Sequence, residues 1–408
     1  MTSLSERLNS LGLKKGSEIS PPVTKKYPLL SEVINASVMS NSQGKVLVVE
    51  KLYPYGFIHG DVLFSDDIKF SEINRMSKLR NSDFNLKNIV FLDTETTGLA
   101  GGTGTFAFLI GIAQFTKQGF CLTQFILEDP SDESSLLLAL DEYSKNTQAI
   151  VSFNGKSFDI PLLRTRYIMN KMSFPFTEKE HIDLLQMSRK IWRQRLASCS
   201  LKDLEKDILH LPRTEDEVPG WMIPQIYFDY LRSGDPALIR NVIYHNAMDI
   251  MSLAALFIAI GRMFDTLIQN TGMNSLDLFS IGQMYESNGD TSKAIEIYEF
   301  CVKNNLLDQE IAINLKKRLG KIYKSQLQWE NSIEYWSSNA SSGNIDACIE
   351  LAKYFEHQVK DIKKAIFWTS CAEEYNFLSK KPRHYRNQIM KELLHRRNRL
   401  ERKEKADV

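Results

Sequence analysis

Hydrophobic patterning is sharpest between residues 87 and 265. Asn88-Ile89-Val90-Phe91-Leu92 is a largely apolar run of the kind carried by a strand covered on both faces. Thr105–Phe115 and Phe120–Leu127 read as the next two strands, turning at Lys117-Gln118-Gly119. Ser134–Ser144 has helical spacing through Leu136, Leu137, Leu140 and Tyr143, and Ala149–Phe153 is a further strand. Ile160–Met169 predicts a helix with Pro161 in its first turn. His181–Leu185 predicts a short strand entering a helix over Gln186–Arg195, and Arg240–Met263 a long apolar helix. Upstream, Gly44–Glu50 predicts a strand, with shorter β pieces at Tyr53–Phe57 and Val62–Phe64. Strands first and then helix–strand alternation predict an α/β domain over 87–265, its mixed central sheet flanked by helices. A flexible arm over 1–34 and a β-rich segment over 35–86 that packs on the α/β domain are expected before it.

After Asn270 no strand pattern appears and helical spacing recurs. Gly282 and Tyr285 are matched by Gly320 and Tyr323 at an offset of 38, as are Ala294, Ile295 and Tyr298 by Ser332, Ile333 and Trp336. Ala365 and Ile366 start a third copy another 33 residues on. Small residues at fixed helical positions let paired helices approach while aromatics fill the gaps. This resembles tetratricopeptide repeats and implies an all-α repeat domain over 270–380, with a basic tail over 381–408. Such repeats usually offer a concave surface to a protein partner.

Composition adds limits rather than detail. Hydrophobic residues are 43% and charged residues 25%, enough apolar content for a sizeable core. Lys plus Arg is 51 against 50 acids, so overall charge argues neither for nor against a nucleic-acid partner. Locally, Lys380–Val408 carries eleven Lys or Arg against four acids. That run reads as a solvated terminal helix, the commoner fate, or as a phosphate-binding arm. The five cysteines are scattered without a CxxC pair, which predicts reduced thiols in the cytoplasm rather than disulfides or a cysteine zinc site. The best apolar run, Leu253–Ile260, is short of the about 20 residues of a membrane span. Met1–Gly16 has no apolar stretch of the secretory kind. No membrane association is expected.

Candidate chemistry begins at Asp93 and Glu95, two carboxylates at i and i+2 on a strand and hence on one face. Two anions there repel unless a cation lies between them, and hard ions such as Mg²⁺ or Mn²⁺ favour such oxygen ligands. By spacing alone, an exposed strand end with two solvated acids is an equal explanation. Asn154-Gly155-Lys156-Ser157-Phe158-Asp159 follows a strand and opens a helix, where Asp159 is a further acid or simply an N-cap. In the long helix, His245 and Asp249 share a face at a spacing of four. An Asp entering an apolar helical stretch has no easy structural reason, whereas a lone His there is more often a core residue.

Together DTETTGL (93–99), NGKSFD (154–159) and HNAMD (245–249) resemble the three motifs of the DnaQ-like DEDD 3′–5′ exonucleases, a branch of the ribonuclease H superfamily. His181–Leu184, Trp192, Leu201–Glu205 and Asp216–Gly220 are similar to the YprB-type bacterial group of predicted exonucleases, and the resemblance spans roughly residues 35–262. It implies a ribonuclease H-like α/β domain followed by the tetratricopeptide-like one. It implies that Asp93, Glu95, Asp159 and Asp249 hold two divalent cations, Mg²⁺ or Mn²⁺, for two-metal hydrolysis of DNA or RNA at single-stranded 3′ ends. The histidine class of these enzymes has its base five residues before the last Asp, where Tyr244 stands here; the tyrosine class has it four before, where His245 stands. Helical geometry favours His245, and imidazole suits proton removal near neutrality; Tyr244, Asp183 and bulk water remain alternatives. Thr96, Thr97, Gly98 and Leu99 are expected to shape the pocket for the terminal nucleotide. Asn154, Lys156 and Phe158 are expected to contact the strand by hydrogen bonding, charge and stacking. Asp183 is expected to orient a ligand or water, and His181 to be structural. The loop Gly101–Gly104 either approaches a phosphate closely or is a plain hairpin loop. The basic segment Arg189, Lys190, Arg193 and Arg195 neutralises phosphates or faces solvent. The competing reading is an adaptor that holds nucleic acid without cutting it and recruits a protein through its repeats.

Overall fold

The computed structural model describes residues 27–65, 67–81, 85–98, 104–211, 218–267 and 272–406. Most of the expected N-terminal arm, Leu99, Gly101–Thr103, and Asp216 and Glu217 lie outside the described residues. The chain divides into two compact units. Met1–Asp66, Phe84–His181 and Leu211–Ala254 make the first; Asp67–Asp83, Ile182–His210 and Ala255–Val408 make the second.

In chain order the first stretch carries α1 (Leu30–Val33), β1 (Ser37–Asn41), β2 (Gly44–Pro54), β3 (Ile58–His59), β4 (Val62–Leu63) and α2 (Ser71–Met76). The central stretch follows with β5 (Ile89–Thr96), β6 (Ala107–Phe115), β7 (Gly119–Ile126), α3 (Glu133–Tyr143), β8 (Ala149–Ser152), α4 (Asp159–Met169) and β9 (Glu180–Asp183). Helices then take over: α5 (Leu184–Trp192), α6 (Leu201–Asp207), α7 (Ile223–Ser233) and α8 (Ile239–Asp265). The remainder is α9 (Ser275–Ser287), α10 (Thr291–Lys303), α11 (Gln309–Ser325), α12 (Trp329–Ser341), α13 (Ile345–Tyr354), α14 (Ile362–Leu378) and α15 (Arg383–Ala406). The expected mixed α/β fold followed by a largely helical region is what the structure has.

One seven-stranded sheet in the order β1-β2-β7-β6-β5-β8-β9 organises the first unit. β5 pairs antiparallel with β6 and parallel with β8, so it is flanked on both edges. It is also covered on both faces, which is why its sequence runs apolar without alternation. Val90 and Leu92 join the core cluster with Leu136, Leu140, Leu163, Tyr167 and Tyr227. Phe91 packs into an aromatic group with Phe115 and Phe120 at ring separations of 5.9 and 5.5 Å. The β6–β7 turn depends on Gly119, at φ +144°, where an added Cβ would come 2.2 Å from the Tyr53 carbonyl oxygen. A fork from Arg166 to Glu133, 2.6 Å for each bond, joins α4 to α3 with both side chains 11% exposed.

Ile239–Ala254 of α8 belongs to the first unit and the rest of the helix to the second. The expectation that no segment reaches membrane length needs correction, because α8 is long and apolar enough to cross a bilayer by length and composition. The apolar run extends on both sides of Leu253–Ile260, and 67% of its most apolar stretch is buried inside the protein. Core helices commonly read this way.

In the second unit, α5 packs on α9, and an Arg195–Asp277 fork at 2.9 Å per bond leads out of it. Arg195 is therefore paired with Asp277, where its segment was expected either to neutralise phosphates or to face solvent. Gly282 on α9 faces Tyr298 on α10, and Gly320 on α11 faces Trp336 on α12, where a Cβ would lie 2.4 and 2.3 Å from the rings. Glycine there lets each helix close on the aromatic of its partner. A second core gathers Trp336, Ala340, Ala347, Cys348, Leu351, Ala372 and Leu393. The basic tail forms α15, anchored by buried Leu393 and Leu400. All five cysteines are free thiols.

Candidate active site

The end of β5 presents Asp93 and Glu95, with Asp93 opposite Gly111 of β6 and a register shift between Glu95 and Thr96. The turn after β8 delivers Asp159. Asn154 adopts φ +65°, which asparagine tolerates better than most residues. A Cβ on Gly155 would come 2.4 Å from Ser152 Oγ, so only glycine lets the turn close. Ser152 is in turn 2.7 Å from His181 Nε2, in keeping with a structural role for that histidine. Asp159 is the first residue of α4, and Phe158, not Asp159, occupies the cap position. Its carboxylate instead accepts a 2.5 Å bond from Thr94 Oγ1, the residue between the two strand acids.

α8 supplies the remaining groups. His245 Nε2 lies 3.7 Å from Asp249 Oδ2 and 3.9 Å from Glu95 Oε1, so the histidine bridges helix and strand. The three side chains are 11%, 19% and 13% exposed. Asn246 Nδ2 donates to Asp93 Oδ2 at 2.8 Å, and Asn246 Oδ1 accepts from Gln124 Nε2 at 2.8 Å. Gln124 also donates to the Ile243 carbonyl at 2.8 Å, which fixes the amide chain from β7 through α8 to β5. Sequence reasoning missed Asn246, Gln124 and Thr94. A polar residue at a buried strand position and a glycine opposite Asp93 were the available signals.

Burial and the charges of Asp249, Glu95 and Asp159 push the Asp93 carboxyl well above its ordinary range, against the opposing pull of the Asn246 bond. The four acids therefore share one electrostatic neighbourhood. Among the described residues, no three His, Cys, Asp or Glu side chains are drawn into a ready metal-holding group. The donor chemistry nevertheless suits a hard dication, since mutually repelling carboxylates of oxygen-donor type are what such an ion neutralises.

The other expected residues are placed as follows. Thr96 Oγ1 donates to the Gly98 carbonyl at 2.9 Å, and Thr97 Oγ1 accepts from Phe106 N–H at 3.1 Å, so both also shape their own loop. Lys156 is exposed and the Phe158 ring is 57% exposed, immediately before Asp159. Asp183 is buried in the second unit and caps α5 by accepting from Leu185 N–H at 3.1 Å. Tyr244 is half exposed.

The RNase_H superfamily model matches residues 90–260. The chain is 32% identical over 336 residues to a Bacillus subtilis (strain 168) protein, the uncharacterized protein YprB, with 78% of each chain covered. Among solved structures it is similar to the family B DNA polymerase of the hyperthermophilic archaeon Pyrobaculum calidifontis, at 13% identity and a TM-score of 0.32. That match covers 53% of this chain and 29% of the polymerase, and a likeness of that size carries no argument.

Proposed function

We propose that this chain, which belongs to the YprB family and carries an RNase_H superfamily domain over residues 90–260, hydrolyses phosphodiester bonds of nucleic acid as a metal-dependent 3′–5′ exonuclease. The observation that carries this reading is the electrostatic meeting of Asp93 with Glu95, Asp159 and Asp249, drawn from β5, α4 and α8. These four would hold two Mg²⁺ or Mn²⁺ ions. When bound, the ions supply Lewis-acid activation of water and neutralise charge on the phosphate. His245 Nε2, 3.7 Å from Asp249 and 3.9 Å from Glu95, would receive the proton of the attacking water. Asn246 holds the Asp93 oxygen in place from its neutral amide. Lys156 and the exposed Phe158 ring would meet a single-stranded DNA or RNA end by charge and stacking. We read α9–α14 as tetratricopeptide-like pairs, supported by the matched Gly282–Tyr298 and Gly320–Trp336 contacts, and as a surface for a protein partner.

The test is a degradation ladder on 5′-labelled DNA and RNA with Mg²⁺, Mn²⁺ or EDTA, beside Asp93→Asn and His245→Ala. A metal-dependent ladder from the 3′ end, lost in Asp93→Asn, is expected. His245→Ala should fall by about 10²–10⁴-fold; an unchanged rate removes its role as base. No cleavage of any substrate, with oligonucleotide binding intact, would replace the enzyme with the adaptor.

A further inference from the structure

The cations of α15 are sorted by helical phase. Arg396, Arg399 and Lys403 turn inward and converge on Glu356, whose side chain is fully buried, at 3.0, 2.6 and 2.8 Å. Arg397 pairs with Glu373 and donates to Ser370 Oγ at 2.9 Å. Together with Leu393 and Leu400, these residues define the packed side of the helix.

The opposite side has a different composition. His384, Lys391, His395, Asn398, Arg402 and Lys405 follow one another at spacings of seven, four, three, four and three, and all are exposed. At 3.6 residues per turn these spacings keep them in one line, about 30 Å long. The helix's own acids, Glu392, Glu401 and Glu404, fall off that line by phase. Lys391, Arg402 and Lys405 have no ion-pair or hydrogen-bond partner among the described residues. The solvent side of the helix thus keeps Lys391, Arg402 and Lys405 unpaired while the inner cations are neutralised by Glu356.

We infer that the outward line of α15 binds the phosphate backbone of nucleic acid, as a surface separate from the acid cluster. Charge complementarity fixes the occupant: an acid-free line carrying Lys391, Arg402 and Lys405 fits a polyanion with regularly spaced charges. Contacts from these three cations to phosphates carry no sequence information. The inference rests on nucleic acid being the substrate of the proposed function, and the assay separates the two.

Full-length protein is titrated in EDTA against a 5′-fluorescein oligonucleotide of about 30 nucleotides, as DNA and as RNA, over a series of NaCl concentrations. The variant is Lys391→Gln/Arg402→Gln/Lys405→Gln, with Lys391→Arg/Arg402→Lys/Lys405→Arg as the charge-preserving control. Loss of three single-strand phosphate contacts lowers the slope of log Kd against log salt by about 2, and weakens Kd at about 50 mM NaCl by tenfold or more. The control should keep wild-type values. An unchanged slope in the neutralised variant, with an unchanged melting temperature, overturns the inference whether or not the protein cuts. Wild-type binding through the line with no metal-dependent hydrolysis supports it and sinks the exonuclease reading instead. Loss of phosphatidylserine-vesicle binding in the variant, with oligonucleotide binding intact, overturns it in favour of a membrane surface.

Discussion

Gly111→Ala tests the amide chain that fixes Asp93 most directly. Gly111 lies opposite Asp93 across the β5–β6 ladder. A Cβ there would come 2.2 Å from Asn246 Oδ1, 2.2 Å from Ile250 Cδ1 and 2.9 Å from Asn246 Cγ. Each of the nearest contacts is more than an ångström inside ordinary van der Waals range, and both neighbours are on the buried side of α8. Overpacking of this kind costs about 1–3 kcal/mol. Displacing Asn246 also breaks its hydrogen bond to the Asp93 carboxyl, worth about 0.5–1.5 kcal/mol with the carboxyl protonated and about 1.5–3 kcal/mol with it ionised. The sum is a loss of about 1.5 kcal/mol or more, read as a lower urea midpoint at unchanged m-value. Gly104→Ala is the control, because an added Cβ there meets nothing within 4 Å among the described residues. It should stay within about 0.5 kcal/mol of wild type. Hydrolysis by Gly111→Ala should fall beyond its loss of folded protein, measured where more than nine-tenths remains folded. A wild-type urea midpoint would refute the packing argument. A lowered midpoint with undiminished activity would refute the claim that Asn246 positions Asp93.

Further outcomes follow from the same geometry. Because the Asp93 carboxyl is raised, the folded protein holds that proton more tightly than the unfolded chain does. Stability of the metal-free protein therefore falls as pH rises from the ordinary aspartate value through the folded one. Melting in EDTA across this range should show the fall in wild type and a flatter profile in Asp93→Asn, which should melt higher than wild type at alkaline pH; equal profiles would discredit the cluster's repulsion. Millimolar Mn²⁺ or Mg²⁺ should raise the wild-type melting temperature by mass action and raise that of Asp93→Asn less; no shift in either ion would count against a cation site. Arg166→Met leaves Glu133 buried with Asn170 as a hydrogen-bond partner at 3.0 Å. It should cost about 3–5 kcal/mol, and Arg166→Met/Glu133→Leu should regain much of this in urea unfolding.

Local patterns made the main elements of the fold legible. The run Ile89–Leu92 announced a strand covered on both faces, and the structure surrounds β5 accordingly. Helical phase likewise announced α3, α4 and α8 within a few residues of their ends. The partners of the acids were not legible, because their meaning comes from pairings across long stretches of chain. Asn246 and Asp93 are 153 residues apart, and Gln124 and Asn246 are 122 apart. Gly111 and Gln124 were the local hints, since glycine inside a buried strand marks close approach by another element and a buried polar strand residue needs a partner. Total charge hid the division of α15 as well. The count of eleven cations says nothing of which are spent on Glu356, whereas a 3.6-residue phase separates them once the buried Leu393 and Leu400 mark the inner side.

Asp93 accepts from an amide and Asp159 from a hydroxyl, while His245 lies 3.7 Å from Asp249 and 3.9 Å from Glu95. Elsewhere the protein treats carboxylates differently: Glu133 receives a guanidinium fork, Asp277 another, and Glu356 three cations at once. The fold thus has cations in hand for acids whose task is cohesion. Neutral donors do something a Lys or Arg would not. At Asp93 the amide fixes the direction of an oxygen lone pair without adding a positive charge, and the carboxyl stays well above its ordinary range through burial first and then the charges of Asp249, Glu95 and Asp159. On the proposed metal-dependent reading a dication would relieve this repulsion, so its binding and the burden of the acids on the metal-free fold would have one origin.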